Sequence, residues 1–262
     1  MFDVTPLLPE ARPVALAATQ VYWKHLQASC IGILIHGSAL KGGLIPGCSD
    51  LDFQLYVQAA ALEKNGQLPI EQSMAIQRDL AVIDPAPFQY IQAYVKAPRE
   101  TLQEGLVGPI PGAYHLIYGR LAVPEATDEQ LIQGSKRSIE RIPQIIAKLS
   151  GDMLEHGGGR LERNLRYLCT DVWPILYSVL TLQSQQALAI WQLPKMSALN
   201  LLPLHTPMGS NIRRFYQCLN SYYSRESGIE DALDVFTHGV AFLQAVEQWY
   251  AGYVSTNPSI HS

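Results

Sequence analysis

Two aspartates that alternate with apolar residues are the most distinctive chemical feature of the sequence. In residues 50–57, the alternation places Asp50, Asp52 and Gln54 on one face of a predicted strand and apolar side chains on the other, because strand side chains point to the two faces in turn. Two carboxylates this close repel each other unless a cation lies between them, and hard oxygen ligands suit Mg²⁺. The pair therefore predicts a magnesium site on a half-buried strand.

A glycine and a serine precede this strand. Residues 31–35 are apolar and predict a buried strand that ends at His36, Gly37 and Ser38. Gly37 has no Cβ, so a ligand can approach the backbone closely there. Eleven residues separate Ser38 from Asp50, and four of them are glycine or proline, which predicts a loop or short helix followed by a turn. Magnesium often accompanies nucleotide phosphates, so the combination suits nucleotidyl transfer at phosphorus.

The segment Gly37-Ser38, followed by Ser49-Asp50-Leu51-Asp52, resembles the signature of the nucleotidyltransferases related to DNA polymerase beta. It is similar in particular to the bacterial aminoglycoside nucleotidyltransferases of the streptomycin/spectinomycin adenylyltransferase kind. The resemblance implies transfer of AMP from ATP to a hydroxyl of a small molecule, with release of pyrophosphate. It also implies that Asp50 and Asp52 are catalytic and hold two Mg²⁺ ions, and that Gly37, Ser38 and Ser49 contact the nucleotide.

The predicted third strand, residues 87–95, departs from the family pattern. In the resembled family this strand supplies a third acidic residue, which completes the metal site or takes the proton from the attacking hydroxyl. Here it offers Gln89 and Gln92, and an amide cannot accept a proton near neutral pH. Four carboxylates remain as candidate bases: Asp52, Asp84, Glu100 and Glu104. The alternative is a catalytically impaired protein of the same fold that binds a nucleotide as a sensor.

A cationic side chain is also expected, because a triphosphate carries more charge than two magnesium ions neutralise. Lys195, in the stretch 189–202, resembles the lysine of the aminoglycoside enzymes that faces the triphosphate, although Pro194 replaces the serine that precedes it in the family. Lys41, in the loop after Gly37-Ser38, is a second candidate.

Composition narrows the function classes. The net charge of −4 argues against a chain that holds a nucleic-acid backbone, since that binding needs clustered Lys and Arg. No apolar run is long enough to span a bilayer and no leader pattern opens the chain, so we expect a cytoplasmic protein with no membrane partner. The expected partners are a nucleoside triphosphate and a small hydroxylated acceptor, and a homo-oligomer is left open.

The patterns predict an α/β (α+β) nucleotidyltransferase domain with a small mixed sheet, residues 1–124, followed by an all-α helical-bundle domain that binds the acceptor, residues 125–262. The first domain has predicted helices at 12–29 and 69–83 and a last strand at 114–124. In the second, we expect helices at 128–149, 160–182, 211–224 and 229–253, with a further segment at 183–202. The nucleotide is expected in the cleft between the domains.

The acceptor pocket is predicted from charge. An aminoglycoside is polycationic and requires a cleft lined with carboxylates. The helical half offers seven such residues: Glu155, Glu162, Asp171, Glu226, Glu230, Asp231 and Asp234.

Overall fold

The computed structural model describes residues 2–103, 105–155 and 158–256. The chain divides into two compact units that meet between Ala126 and Thr127, two residues beyond Pro124, the end of the predicted first domain. Within the described ranges, no helix combines the length and the apolar character needed to cross a membrane.

The first unit is built on a four-stranded mixed sheet. Its strands are β1 (Cys30–His36), β2 (Leu51–Val57), β3 (Ile91–Lys96) and β4 (Tyr114–Gly119). They lie in the order β3-β2-β1-β4. β1 pairs antiparallel with β2 and β4, whereas β2 pairs parallel with β3. The predicted small mixed sheet is confirmed.

The alternation in β2 sets the two faces of the sheet. Leu51, Phe53 and Leu55 are at most 1% exposed, whereas Asp52 and Gln54 are only half-buried. Full burial of a large apolar side chain contributes about 1.5–3 kcal/mol, so the apolar set fixes the register of the strand. A slip by one residue would exchange the two faces.

Helices cover the apolar face of the sheet. The helices of this unit are α1 (Arg12–Leu26), the one-turn α2 (Ser38–Lys41) and α3 (Ile70–Leu80), with a 3-10 turn at Ala59–Ala61. The aromatic ring of Tyr22 in α1 meets that of Phe53 edge-on, with 5.2 Å between ring centroids. Asp79 in α3 accepts hydrogen bonds of 2.7 Å from Lys24 and His25 of α1. The opposite, polar face of the sheet therefore carries Asp52.

The third strand begins later than predicted. It starts at Ile91 rather than at residue 87, so Gln89 precedes it and Gln92 lies within it. Pro85 and Pro87 have no N–H to donate to a sheet ladder, which explains the late start. The Gln89 N–H instead donates to the Ser49 carbonyl at 2.9 Å.

The second unit is wholly helical in its described part. Its helices are α4 (Asp128–Glu140), α5 (Ile142–Leu154), α6 (Gly158–Ser184), α7 (Ala187–Gln192), α8 (Lys195–Leu201), α9 (Pro207–Ser224) and α10 (Ile229–Thr256). α6 contacts α4, α5, α7, α8 and α10, and α9 packs along α10. This is the predicted helical region.

One predicted helix is in fact two. The prediction of a single helix over 128–149 is wrong, because α4 ends at Glu140 and α5 begins at Ile142. Pro143 lies in the first turn of α5, where the N–H that proline lacks would have no partner within the helix. Because proline cannot donate this N–H, the hydrogen bonding of α4 cannot continue through it. The break places Arg141 at the junction of the two helices.

Candidate functional site

A row of four polar side chains crosses the sheet at one level. Asp52 in β2 is paired with Gln92 in β3 and with His36 in β1, and His36 is paired with Tyr114 in β4. Directly paired residues point to the same face of a sheet. The four side chains therefore lie side by side on the face opposite α1 and α3. Asp52 lies inside the row, between the amide of Gln92 and the ring of His36.

Asp52 lies directly against the turn that follows β1. Gly37 has a φ of +77°, and a Cβ built on it would come within 2.9 Å of the Asp52 Oδ2 atom. Glycine is thus required for two reasons, the backbone conformation and the space that the carboxylate occupies. α2 begins at the next residue, Ser38, which is buried. The structure therefore brings Gly37, Ser38 and Asp52 together.

Asp50 is held by the loop that leads into β2. It precedes the strand by one residue, and its Oδ1 atom is shielded from solvent. The Ile45 N–H donates to the Ser49 Oγ at 3.0 Å, and the Ser49 N–H donates back to the Ile45 carbonyl at 2.9 Å. The Ser49 hydroxyl thus closes the turn that carries Asp50.

Two lysines lie close enough to His36 to affect its protonation. The pKa of His36 is lowered to about 4, first by burial and then by the charges of Lys96 and Lys41. The imidazole is therefore neutral near pH 7. The Lys96 Nζ donates to the Gln54 Oε1 at 3.2 Å, and the Tyr56 hydroxyl donates to the same oxygen at 3.0 Å. Of these two lysines, Lys41 was a sequence candidate and Lys96 was missed, although the alternation of residues 92, 94 and 96 could have indicated it.

A further carboxylate lies at the β4 end of the row. The Tyr114 hydroxyl donates to the Glu125 Oε1 at 2.6 Å. Burial, followed by the hydrogen bond and charge of Glu125, raises the pKa of Tyr114. Neither residue carries a local sequence signal, because their relation to Asp52 depends on which strand pairs with β1.

The candidate bases from the sequence are scattered. Asp84 is exposed in the loop before β3, where its Oδ1 accepts from the Ala86 N–H at 3.0 Å. Glu100 is exposed beyond the far end of β3, and Glu104 lies outside the described residues. Of the three candidates that the structure describes, Asp52 is the one that lies in the row across the sheet.

The donor set is suited to magnesium. Across the part of the chain that the structure describes, no three His, Cys, Asp or Glu side chains form a metal cluster. Asp50 and Asp52 supply hard oxygens but leave most of the six positions around Mg²⁺ to other ligands. Phosphate oxygens and water fill such positions in nucleotide sites. The residues thus fit an ion that binds together with a nucleotide.

Lys195 belongs to the second unit. It opens α8 directly after Pro194, and its ammonium lies 5.3 Å from the centroid of the Trp173 ring. This is the geometry of a cation–π contact. Its predicted role opposite the triphosphate stays a prediction.

The mixed sheet followed by a helical region is a fold that this chain shares with a protein of known structure. The chain is similar to a solved structure of spectinomycin adenyltransferase AAD(9) from Enterococcus faecialis with ATP and spectinomycin. The TM-score is 0.52 and the sequence identity 14%, and the likeness covers 90% of this chain and 98% of that chain. No protein-family model and no curated protein matches the sequence. The resemblance predicted from the Gly-Ser and Asp-x-Asp segments is confirmed at the level of the fold.

Proposed function

We propose that the protein is a magnesium-dependent nucleotidyltransferase that transfers AMP from ATP to a hydroxyl of a small, aminoglycoside-like molecule and releases pyrophosphate. The observation that carries the proposal is the packing of the Asp52 carboxylate against Gly37, where a Cβ would come within 2.9 Å of Oδ2. The fold is shared with an adenyltransferase whose structure contains ATP, which supports the choice of nucleotide.

The geometry of the first unit supports the binding roles that we propose. Asp50 and Asp52 are the proposed magnesium ligands, and bound Mg²⁺ would neutralise phosphate charge and polarise the phosphorus centre. Gly37 leaves room for the phosphates beside the carboxylate, and the adjoining Ser38 is proposed to hydrogen-bond them. We propose that Ser49 acts on the nucleotide through the turn that it closes.

Positive charge for the triphosphate comes from three proposed sources. Lys41 and Lys96 both act electrostatically on His36, so each lies near the row that contains Asp52. Lys195 is the proposed contribution of the second unit. Such fixed cations stabilise charge that shifts onto the leaving pyrophosphate.

The proton of the acceptor hydroxyl needs a base. We propose Asp52, because it is the sequence candidate that lies in the row and because Gln92 beside it cannot accept a proton. In this reaction the acceptor oxygen attacks the α-phosphorus, its proton passes to Asp52, and the bond between the α-phosphorus and the bridging oxygen breaks to release pyrophosphate.

A second candidate function has one specific observation in its favour. Gln92 lies in direct register with Asp52, at the level where the resembled family places its third acid. A protein with this substitution could bind a nucleotide and respond to it without turnover. The two candidates differ in product formation and not in nucleotide binding.

Pyrophosphate release separates them. The protein is incubated with ATP and Mg²⁺ and with each member of a panel of hydroxylated small molecules, aminoglycosides first. We expect one acceptor to stimulate release and to gain the mass of AMP. ATP binding without release for every acceptor would favour the sensor, and absence of both would overturn the proposal.

A further inference from the structure

A cavity in the second unit has the wrong charge for a polycationic ligand. It lies between α5 and α6 and has a volume of about 560 Å³. Arg141 and Lys148 line it from one side, and Arg163, Tyr167 and Asp171 line it from the other. Spacings of seven residues on α5 and of four on α6 bring these side chains to the two helix faces that border the cavity.

Cations dominate this lining. Three of the lining residues are Arg or Lys, and Asp171 is the only carboxylate among them. The Lys148 ammonium also pairs with Asp152 on its own helix. Even when Asp152 is added to Asp171, the cationic side chains still outnumber the carboxylates. Of the seven acidic residues expected for an aminoglycoside, Glu155 pairs with Arg160 and Asp231 with Arg225.

Two of the three cationic groups contact the same aromatic ring. The Arg163 guanidinium carbon lies 5.2 Å from the centroid of the Tyr167 ring and the Lys148 Nζ lies 5.4 Å from it. The Arg163 Nε also donates to the Tyr167 hydroxyl at 3.1 Å. Cations fixed in this way lose less side-chain freedom when an anion binds. The break at Pro143 supplies the third cation, Arg141, at the start of α5.

Asp171 gives the cavity a second recognition element. It is half-buried on α6, and burial raises the pKa of its carboxyl, while Arg141 and Lys148 oppose that effect. A carboxylate beside the cations cannot bind the anionic group of a ligand, but it accepts hydrogen bonds from hydroxyls. The lining thus combines an anion site with a hydroxyl site.

We propose that this cavity binds a phosphate-bearing polyhydroxy compound. The phosphate contacts Arg141, Lys148 and Arg163, and a hydroxyl of the same molecule donates to Asp171. Planar guanidinium groups match phosphate oxygens in pairs, and several converging cations suit the double charge of a phosphate monoester. Such a compound reaches the cavity either as a sugar phosphate or as a nucleotide.

The test is a calorimetric titration of the full chain with glucose 6-phosphate and, separately, with glucose. We expect glucose 6-phosphate to bind at least about tenfold more tightly than glucose, since charge-assisted hydrogen bonds account for the difference. The substitutions Arg141→Gln and Lys148→Gln should each lower the affinity for glucose 6-phosphate by about tenfold, because each removes a charge-assisted hydrogen bond. Glucose 6-phosphate binding that neither variant weakens relative to the wild type would overturn the proposal, and equal binding of the two sugars would exclude a sugar phosphate as the ligand.

Matched variants separate charge from damage to the fold. Lys148→Arg keeps the positive charge and should retain most of the affinity, and Lys64→Gln removes an exposed charge from the first unit and should change nothing. Asp171→Asn should weaken glucose 6-phosphate while leaving inorganic phosphate equally or more tightly bound. Loss of affinity in Lys148→Arg equal to that in Lys148→Gln would count against a charge-based site.

A third titration distinguishes the two sources of phosphate. ATP without Mg²⁺ is added to the wild type and to Arg141→Gln. Tight binding of ATP that the variant weakens, with poor binding of glucose 6-phosphate, supports the phosphate site and assigns it to a nucleotide. Tight binding of glucose 6-phosphate with poor binding of ATP also supports the phosphate site and assigns it to a sugar phosphate. If Arg141→Gln weakens the binding of neither ATP nor glucose 6-phosphate, the proposed phosphate site is overturned, whatever the outcome of the pyrophosphate assay.

Discussion

The parallel strands β2 and β3 pair residue by residue, yet their polar faces differ in chemistry. β2 presents Asp52 and Gln54, with Asp50 just before the strand, whereas β3 presents Gln92, Tyr94 and Lys96. On β3 the Gln92 amide donates to the Tyr94 hydroxyl. The proposed cation site therefore lies on the β2 segment, whereas β3 offers a neutral amide and a lysine.

On the proposed function, this difference assigns magnesium binding to the β2 segment and leaves Gln92 of β3 without a role in proton transfer. The proposed magnesium site uses the two carboxylates of the β2 segment together with phosphate oxygens, and no ligand from β3. Gln92, as an amide, cannot act as a general base near neutral pH. The proposed function therefore depends on the carboxylates of the β2 segment. The rate of the proposed reaction depends on which group accepts the proton, because β3 carries Gln92 instead of an acidic residue.

The largest effect is expected at Asp52. Asp52→Asn keeps the size of the side chain but removes the charge that binds magnesium. Pyrophosphate release should fall at least about a hundredfold, because even residues that only support metal ligands cost 10- to 100-fold when replaced. The control is Asp84→Asn, at an exposed loop position, which should retain activity. Activity of Asp52→Asn close to that of the wild type would contradict the role of β2.

The turn that supports β2 is tested by Gly37→Ala. The added Cβ would come within 2.9 Å of the Asp52 Oδ2. The alanine would also have to adopt the unfavourable positive φ of Gly37. We expect a loss of about 1–3 kcal/mol in the free energy of unfolding, measured by urea denaturation, and weaker magnesium-dependent ATP binding.

Gly66→Ala is the matched control for that substitution. Gly66 has a φ of +79°, and a Cβ added to it would meet no other atom within 4 Å. The control should lose stability but bind ATP as the wild type does. Equal loss of binding in both variants would attribute the effect to backbone strain alone.

The difference between the strands can be reduced by Gln92→Glu. In register with Asp52, the new carboxylate lies where a third acid would serve, and a positioned general base contributes about 10²–10⁴-fold to a rate. We expect pyrophosphate release to rise by about tenfold or more if proton transfer limits turnover. Gln89→Glu, which adds the same charge before the strand begins, should have little effect. No gain in Gln92→Glu would show that β3 does not limit the reaction.

His36 gives the smallest effect, a dependence of stability on pH. Its folded pKa of about 4 lies below its usual value of 6.5. Between these two values the unfolded chain binds more protons, so stability falls as the pH falls, by about 1 kcal/mol per pH unit at most. His36→Gln should remove this slope in denaturation curves measured from pH 7 to pH 4. An unchanged slope would mean that His36 is not buried in its neutral form.

Local patterns predict the secondary elements that carry the site. The alternation of Leu51, Phe53 and Leu55 with polar residues predicts β2, and the apolar run that stops at His36 predicts the end of β1. The same reasoning fails at Pro143, because apolar residues at helical spacing continue across the break. A proline in a first helical turn is compatible with two helices as well as with one kinked helix.

Contacts between strands are not readable from local patterns. The row that joins Gln92, Asp52, His36 and Tyr114 depends on the order β3-β2-β1-β4, and that order follows from burial of the whole sheet. The site positions of Tyr114 and Glu125 were missed for this reason. The cations that line the cavity of the second unit were missed because residues on facing helices are brought together only by packing.

The most direct test of the central claim is calorimetric titration of ATP into the wild type and into Asp52→Asn, each with and without Mg²⁺. The account predicts that Mg²⁺ strengthens ATP binding to the wild type at least about tenfold, as expected when two carboxylates and the phosphates share the ion, and that Asp52→Asn loses this gain. Binding of ATP to the wild type that is the same with and without Mg²⁺ would contradict it.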